Sequence, residues 1–180
     1  MHTTELAARI IAGEVVACPA EAVWGLSCDP FNPAAVAKIL TMKRRDVAKG
    51  LIIAAADEAQ LAPVLAAVSD AIRRELSLSW PGSNTWLLPN NDVFPSWITG
   101  ASDEVAVRVT SAPALVALCR AVGHPLVSTS ANPSSALPAK FAFQVARYFG
   151  PKLPRCRGSV DLSAKPSTIR RATSGEVLRA

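Results

Sequence analysis

The sequence predicts an α/β fold, with a sheet covered by helices on both faces. Helix-like and strand-like segments alternate along the chain. Several strand segments, such as V-V-A-C, L-I-I-A-A and P-L-V-S, are continuous apolar runs, as expected of strands buried on both faces. Half of the 180 residues are hydrophobic but only 6% are aromatic, so the core must be built mainly of Ala, Val, Leu and Ile. That length supports one well-packed domain over residues 1–180.

The elements follow in order. Thr3 or Thr4 caps a first helix through about Ala12, closed by Gly13. V-V-A-C is a buried strand ending at Pro19, and P-A-E-A-V-W-G-L is a loop with a short helical turn. Asn32 caps a helix that starts at Pro33 and places Val36, Ile39 and Leu40 on one face. The helix leads into M-K-R-R-D-V-A-K-G, and L-I-I-A-A is the next strand. Asp57 caps a helix through about Ala66, with Gln60 completing the capping pattern. A further helix runs from Ser69 to about Leu78 and is broken by W-P-G-S-N. T-W-L-L is a strand, followed by a Pro/Asn-rich loop to Gly100. E-V-A-V-R-V-T alternates as a half-buried strand. Ser111 caps a helix to Val122, the strand P-L-V-S follows, and Phe141–Phe149 forms the last helix. The tail holds short strands at V-D-L, S-T-I-R and E-V-L-R.

Composition excludes several classes. No apolar run approaches the roughly 20 residues of a membrane span. Glu5 and Glu14 flank and interrupt the apolar N-terminal stretch, which argues against a signal peptide and for a cytoplasmic protein without membrane contact. Cys18, Cys28, Cys119 and Cys156 form no C-x-x-C pair, and His2 and His124 complete no zinc pattern. No metal site is expected from protein ligands. Free thiols in a reducing compartment are favoured, with disulfides left open. Residues 140–180 carry nine Lys/Arg against two acids, whereas residues 1–139 carry ten against twelve. This basic tail suits either a solvated face or a phosphate-bearing partner.

Covalent catalysis lacks its usual parts. There is no G-x-S-x-G elbow and no G-x-x-x-x-G-K-[ST] loop. His124 heads a strand and is not placed to serve Ser128 as a base. What remains is a set of cations and hydroxyls at element ends. Lys43, Arg44, Arg45 and Lys49 suit either a solvated helix end or a phosphate site. Arg108 shares a strand face with Ala106 and Thr110, opposite three valines, and needs an anion there: a structural carboxylate, or a bound carboxylate or phosphate. V-S-T-S-A-N-P places Ser128, Ser130 and Asn132 at the carboxyl end of a buried strand, where α/β sheets bind ligands.

The segments P-A-E-A-V-W-G-L, K-R-R-D-V-A-K-G-L, W-P-G-S-N-T, V-A-V-R-V, H-P-L-V-S-T-S-A-N-P and P-S-T-I occur in that order. This pattern resembles the YrdC/TsaC-type threonylcarbamoyl-AMP synthases in their short single-domain form. The resemblance implies a twisted mixed sheet, YrdC-like, with a basic concave cavity. It implies that L-threonine, bicarbonate and ATP, with Mg2+, give threonylcarbamoyl-adenylate and pyrophosphate. A separate threonylcarbamoyl transferase complex would then modify a tRNA adenosine next to the anticodon, with tRNA contact by this chain an open possibility.

By motif match, Lys43, Arg45 and Arg108 carry catalysis. Lys43, Arg45, Lys49, Ser130, Asn132, Ser167 and Arg170 bind ATP. Ala20, Glu21, Thr85, Arg108, Thr110 and Ser128 meet threonine or bicarbonate. The chain departs from the usual pattern at Ala20, where the family has Thr, and at Asp46, Ser83, Asn84 and Ser135. Two alternatives accompany this reading: a non-catalytic RNA-binding relative, and a paralogue with another amino-acid substrate.

Overall fold

A computed structural model describes residues 1–165 and 167–179; Pro166, which opens the P-S-T-I segment, lies outside them. The first elements are helix α1 (Thr3–Ile11), strands β1 (Val16–Pro19) and β2 (Trp24–Ser27), helix α2 (Pro33–Lys43) and strand β3 (Ile52–Ala55). Next come short helix α3 (Ala62–Leu65), α4 (Asp70–Ser79), β4 (Asn84–Pro89), short helix α5 (Ser96–Thr99) and β5 (Glu104–Val109). The chain continues through α6 (Pro113–Val122), β6 (Leu126–Ser130), α7 (Ala142–Phe149), β7 (Thr168–Arg171) and β8 (Val177–Arg179). The strands form one mixed sheet in the order β1-β2-β6-β3-β5-β4-β7-β8. β3 runs parallel to β5 and β4 to β7, while the other neighbours are antiparallel.

Alternation along the central strands sorts their side chains onto two faces. Ile53, Ala55, Val105, Val107, Val109 and Val127 join the larger core with Val36 and Ile39 of α2 and Leu76 of α4. On the other face, Ala54 and Leu126 meet Leu6 and Ile10 of α1 and Leu115 and Leu118 of α6. Those two helices cover only part of that face. The rest, carrying Ile52, Ala106, Arg108 and Ser128, is left as a concave wall.

The elements at the site form for local reasons. Asn32 accepts a hydrogen bond from Ala35 N at 3.0 Å, and Pro33 fixes the first turn of α2. Arg44 ends α2 in the left-handed conformation. Ser134 closes that end, its Oγ donating to the Lys43 and Arg44 carbonyls at 2.9 and 3.0 Å. The helix terminus is thereby tied to the loop after β6.

Several expected elements differ. The P-A-E-A-V-W-G-L loop contains β2, because Trp24 and Leu26 are fully buried and Gly25 lets the backbone pair closely with β6. Thr3 and Thr4 lie inside α1, and His2 at its cap position makes no side-chain bond. Asp57 does cap as expected, but the turn it opens is a 3-10 helix, Glu58–Leu61, with α3 behind it. Ser111 does not cap α6; its N–H is taken by Glu21, and Ala112 occupies the cap position. Val160–Leu162 forms no strand.

Candidate active site

The concave wall opens onto a cavity of about 620 Å³. Its floor is the sheet, and its rims are the Ala20–Val23 turn, the Ala48–Leu51 segment, Thr129–Ser130 and the C-terminal hairpin. Arg108 stands at the centre of the floor and is 7% exposed. Its Nη1 lies 3.0 Å from Glu21 Oε2, and its Nη2 donates to Ser128 Oγ at 3.0 Å. Glu21 Oε1 accepts from Thr110 Oγ1 at 2.6 Å and from Ser111 N at 3.1 Å. The contact between Arg108 Nη1 and Glu21 Oε2 is close in distance but off-line for a hydrogen bond, so Oε2 keeps an unfilled valence; the buried Arg108 Nε is also without a partner. A guanidinium held rigid with a donor to spare is suited to grip a carboxylate or carbamate.

The expected cations separate into two groups. Arg45 and Lys49 line the cavity. Arg45 is held by the Gly50 carbonyl, at 2.9 Å from Nη2 and 3.2 Å from Nε. Lys43 is 3% exposed and sits behind the wall. Its ammonium donates to Asn132 O at 2.9 Å and to Ser130 O, binding the end of α2 to the end of β6. Burial lowers its pKa to about 8, helped by repulsion from Arg45.

The hydroxyl and amide groups divide likewise. Ser128 and Ser130 face the cavity, whereas Asn132 lies behind its rim. Asn132 Nδ2 donates to Pro133 O and Ala136 O, at 3.0 and 2.7 Å, which leaves its buried Oδ1 unpartnered. Thr85 and Thr110 are buried one layer beneath the lining, where Thr85 donates to Ser167 Oγ at 3.2 Å. Ser167 itself reaches the cavity.

Arg170 does not. β7 alternates, so Ile169 and Arg171 face the cavity while Arg170 is exposed on the opposite side of the strand. The tail cation that does reach the site is Arg179. It donates to Ser167 O at 2.7 and 3.0 Å and to Ser167 Oγ at 2.9 Å. Its pKa is lowered by burial and then by the charges of Arg108 and Arg45. Arg171 is satisfied by Glu104 and Glu176, at 2.9 and 2.6 Å. Among the described residues, no carboxylate pairs with Arg45 or Arg179. Their convergence with Arg108 makes the cavity a strong anion attractor.

Sequence reasoning missed Arg171 and Arg179. The only available signals were the basic excess of the tail and the strand pattern of E-V-L-R. Ala20 lines the cavity, and also a second one of about 530 Å³ on the other side of the Ala20–Glu21 turn. Asp46 does not face the site: it caps the 3-10 turn Val47–Lys49, accepting from Ala48 N at 2.9 Å.

Among the described residues, no group of three or more His, Cys, Asp or Glu is arranged to hold a metal. No described helix is long and apolar enough to cross a membrane.

The family model Sua5/YciO/YrdC, described as telomere recombination, matches residues 8–180. A threonylcarbamoyl-AMP synthase of Alkalilimnicola ehrlichii is 51% identical, over 98% of this chain and 94% of its own. One of Cellvibrio japonicus is 47% identical, over 93% and 89%. Among solved structures, P. abyssi Sua5 complexed with L-threonine superposes with a TM-score of 0.90 at 30% identity. The match covers 97% of this chain and 52% of that one, so the chain spans about half of the P. abyssi protein. E. coli YciO shares the fold, with a TM-score of 0.83 at 19% identity over 98% of this chain and 87% of its own.

Proposed function

The chain belongs to the Sua5/YciO/YrdC family, and from that premise we propose that it is a nucleotidyltransferase making threonylcarbamoyl-AMP from L-threonine, bicarbonate and ATP. One observation carries the reading: a buried Arg108 with an unpartnered donor adjoins cations that, among the described residues, have no carboxylate partner, in one cavity where the described residues form no nucleophile–base pair.

The chemistry needs no protein nucleophile. The threonine amine takes up the bicarbonate carbon with loss of water, giving a carbamate. A carbamate oxygen then attacks the α-phosphorus of ATP, and pyrophosphate leaves. Arg108 and Ser128 hold the threonine carboxylate or the carbamate, aligned by Glu21 and Thr110. Arg45, Lys49 and Arg179, with Ser130 and Ser167, receive the phosphates. Lys43 and Asn132 hold the end of β6 in place, and Thr85 holds Ser167. Charge neutralisation and positioning supply the rate. Mg2+ would be held by the phosphates of ATP, where it would neutralise their charge; the cavity's own carboxylates, Glu21 and Glu104, are each ion-paired with an arginine. The adenylate passes to a separate transferase complex acting on tRNA, and the basic tail is the surface on which tRNA contact is to be sought. The whole chain works as one YrdC-like domain in the cytoplasm.

The test is direct. The protein is incubated with ATP, Mg2+ and bicarbonate, with and without L-threonine, and the adenylate is sought by mass spectrometry. Threonine-dependent adenylate is expected. Its absence, under conditions that support a synthase from a relative, overturns the reading; an adenylate formed with another amino acid points to the paralogue. Because Ala20 lines the cavity where the pattern has Thr, Ala20→Thr lowers the threonine KM roughly two- to tenfold, the worth of one hydrogen bond. An unchanged KM removes position 20 from the substrate.

A further inference from the structure

Two of the four thiols meet at the free edge of the sheet. β1 is the terminal strand, and residues 154–156 run along its outer side. Ala17 N donates to Pro154 O at 2.8 Å, and Cys156 N donates to Ala17 O at 2.9 Å. These bonds pair Ala17 with Arg155 in a parallel bridge. One residue further on, the same register sets Cys18 opposite Cys156. Strands paired in this way lie about 4.7–4.9 Å apart. That is within the roughly 4.4–6.8 Å between Cα atoms that a disulfide spans. Both side chains point to the same face, where they pack with Leu6, Ile10 and Leu118. Cys18 is buried, and Cys156 is partly exposed.

We propose that Cys18 and Cys156 form an oxidisable dithiol, at which a peroxide installs a reversible disulfide. Cys156 is the attacking thiol because it is the less buried of the two. The adjacent Cys18 thiol lowers the pKa of Cys156, while that of Cys18 is correspondingly pushed up. The Cys156 thiolate attacks one peroxide oxygen, forming S–O and breaking O–O; the departing hydroxide takes the thiol proton as water. The Cys18 sulfur then displaces the sulfenic hydroxyl, forming S–S and releasing a second water. Two thiols and one hydrogen peroxide thus give one disulfide and two waters, and a dithiol reductant reverses the change.

The other thiols are unsuited to this reaction. Cys28 and Cys119 are fully buried, and burial pushes both up, Cys119 to about 12. Cys119 also donates its S–H to Ala54 O.

The cross-link has a place to act. β1 runs into Pro19–Glu21 and the partner segment into Arg157–Ser159, and these two stretches face each other across the second cavity. They are in close contact, since a Cβ on Gly158 would lie 3.1 Å from Pro19 Cγ. Joining Cys18 to Cys156 therefore ties together two walls that adjoin Glu21.

The folded protein is treated with hydrogen peroxide, its remaining thiols are alkylated in denaturant, and its peptides are mapped without reduction. The expected product lacks two hydrogens, yields a Cys18–Cys156 peptide pair, carries alkylated Cys28 and Cys119, and reverts with dithiothreitol. Cys156→Ser gives no cross-link and leaves Cys18 alkylatable. Oxygen adducts on Cys156 beside a free Cys18, or Cys18 paired with another cysteine, overturn the proposal. Hydrogen exchange of the oxidised protein tests the coupling. Slower exchange at residues 20–22 and 157–159 is expected, and unchanged exchange there refutes the link to the cavity wall.

Discussion

Arg108 and Glu21 are each about nine-tenths buried, and each depends on the other's charge. Removing one partner strands the other, which costs about 3–5 kcal/mol. Arg108→Ala therefore destabilises the fold as well as removing the proposed carboxylate grip, and loss of activity in that variant is ambiguous. Arg108→Lys keeps the charge but loses the planar fork. It is expected to keep most of the stability in urea unfolding and to lose roughly 10- to 100-fold in turnover, the worth of a charged hydrogen bond. A second residue-scale prediction concerns Lys43. Its pKa falls from 10.5 to about 8 in the folded protein. Between these values the unfolded chain holds more protons than the folded one, so this residue's contribution to stability rises with pH across that window. In urea unfolding at pH 7 and pH 10, the stability of the wild type relative to Lys43→Met should increase. No increase would mean that the ammonium is not held at the expense of its hydration.

At the scale of elements, the site depends on where chain segments stop. The Lys49 rim is fixed by two glycines. Gly50 has φ +58° and Gly100 has φ +69°. A Cβ on Gly100 would lie 2.5 Å from Ala48 O and 2.6 Å from Gly50 N, both backbone atoms that have little room to move. Gly100→Ala is expected to lower stability by about 1–3 kcal/mol and to raise the ATP KM by displacing Lys49. A thermal midpoint and KM both equal to wild type would show that the rim is not seated on α5. Elements also explain what was hard to read in the sequence. Strands β3, β5 and β6 were legible because their apolar runs are buried. β2 was not, because four residues rich in Gly and Ser carry little strand signal until Trp24 and Leu26 find the core. Ser111 looked like a helix cap, but its N–H is claimed by a carboxylate 90 residues earlier in the chain.

At the scale of the whole molecule, the C-terminal hairpin completes the cavity. Among the described residues β8 pairs only with β7, at the far edge of the sheet, yet it delivers Arg179 to Ser167 and into the field of Arg108 and Arg45. Deleting residues 176–180 should leave the central sheet folded, with far-ultraviolet dichroism nearly unchanged, and should raise the ATP KM about tenfold or more. An unchanged KM would remove the tail from the phosphate site. The net charge of +5 matters in the same way. It is concentrated in the tail, and the fold brings the tail's last arginine to cations that sit far earlier in the chain.

The sequence by itself determined the α/β class, the strand face that carries Arg108, and the hydroxyl-rich end of β6. These follow from period-two and period-3.6 patterns and from local turn chemistry, which depend on near neighbours alone. The motif match also picked out several of the lining residues, among them Arg45, Lys49, Arg108, Ser128, Ser130 and Ser167. Tertiary structure decided which of them touch the cavity. It placed Lys43, Asn132, Thr85 and Thr110 one layer behind the wall, turned Arg170 outward, and brought Arg179 in. It also set Cys18 beside Cys156. The physical reason is common to all of these: burial, ion pairing and strand register arise between residues distant in the chain, and their free energies exist only once the sheet has brought those residues together.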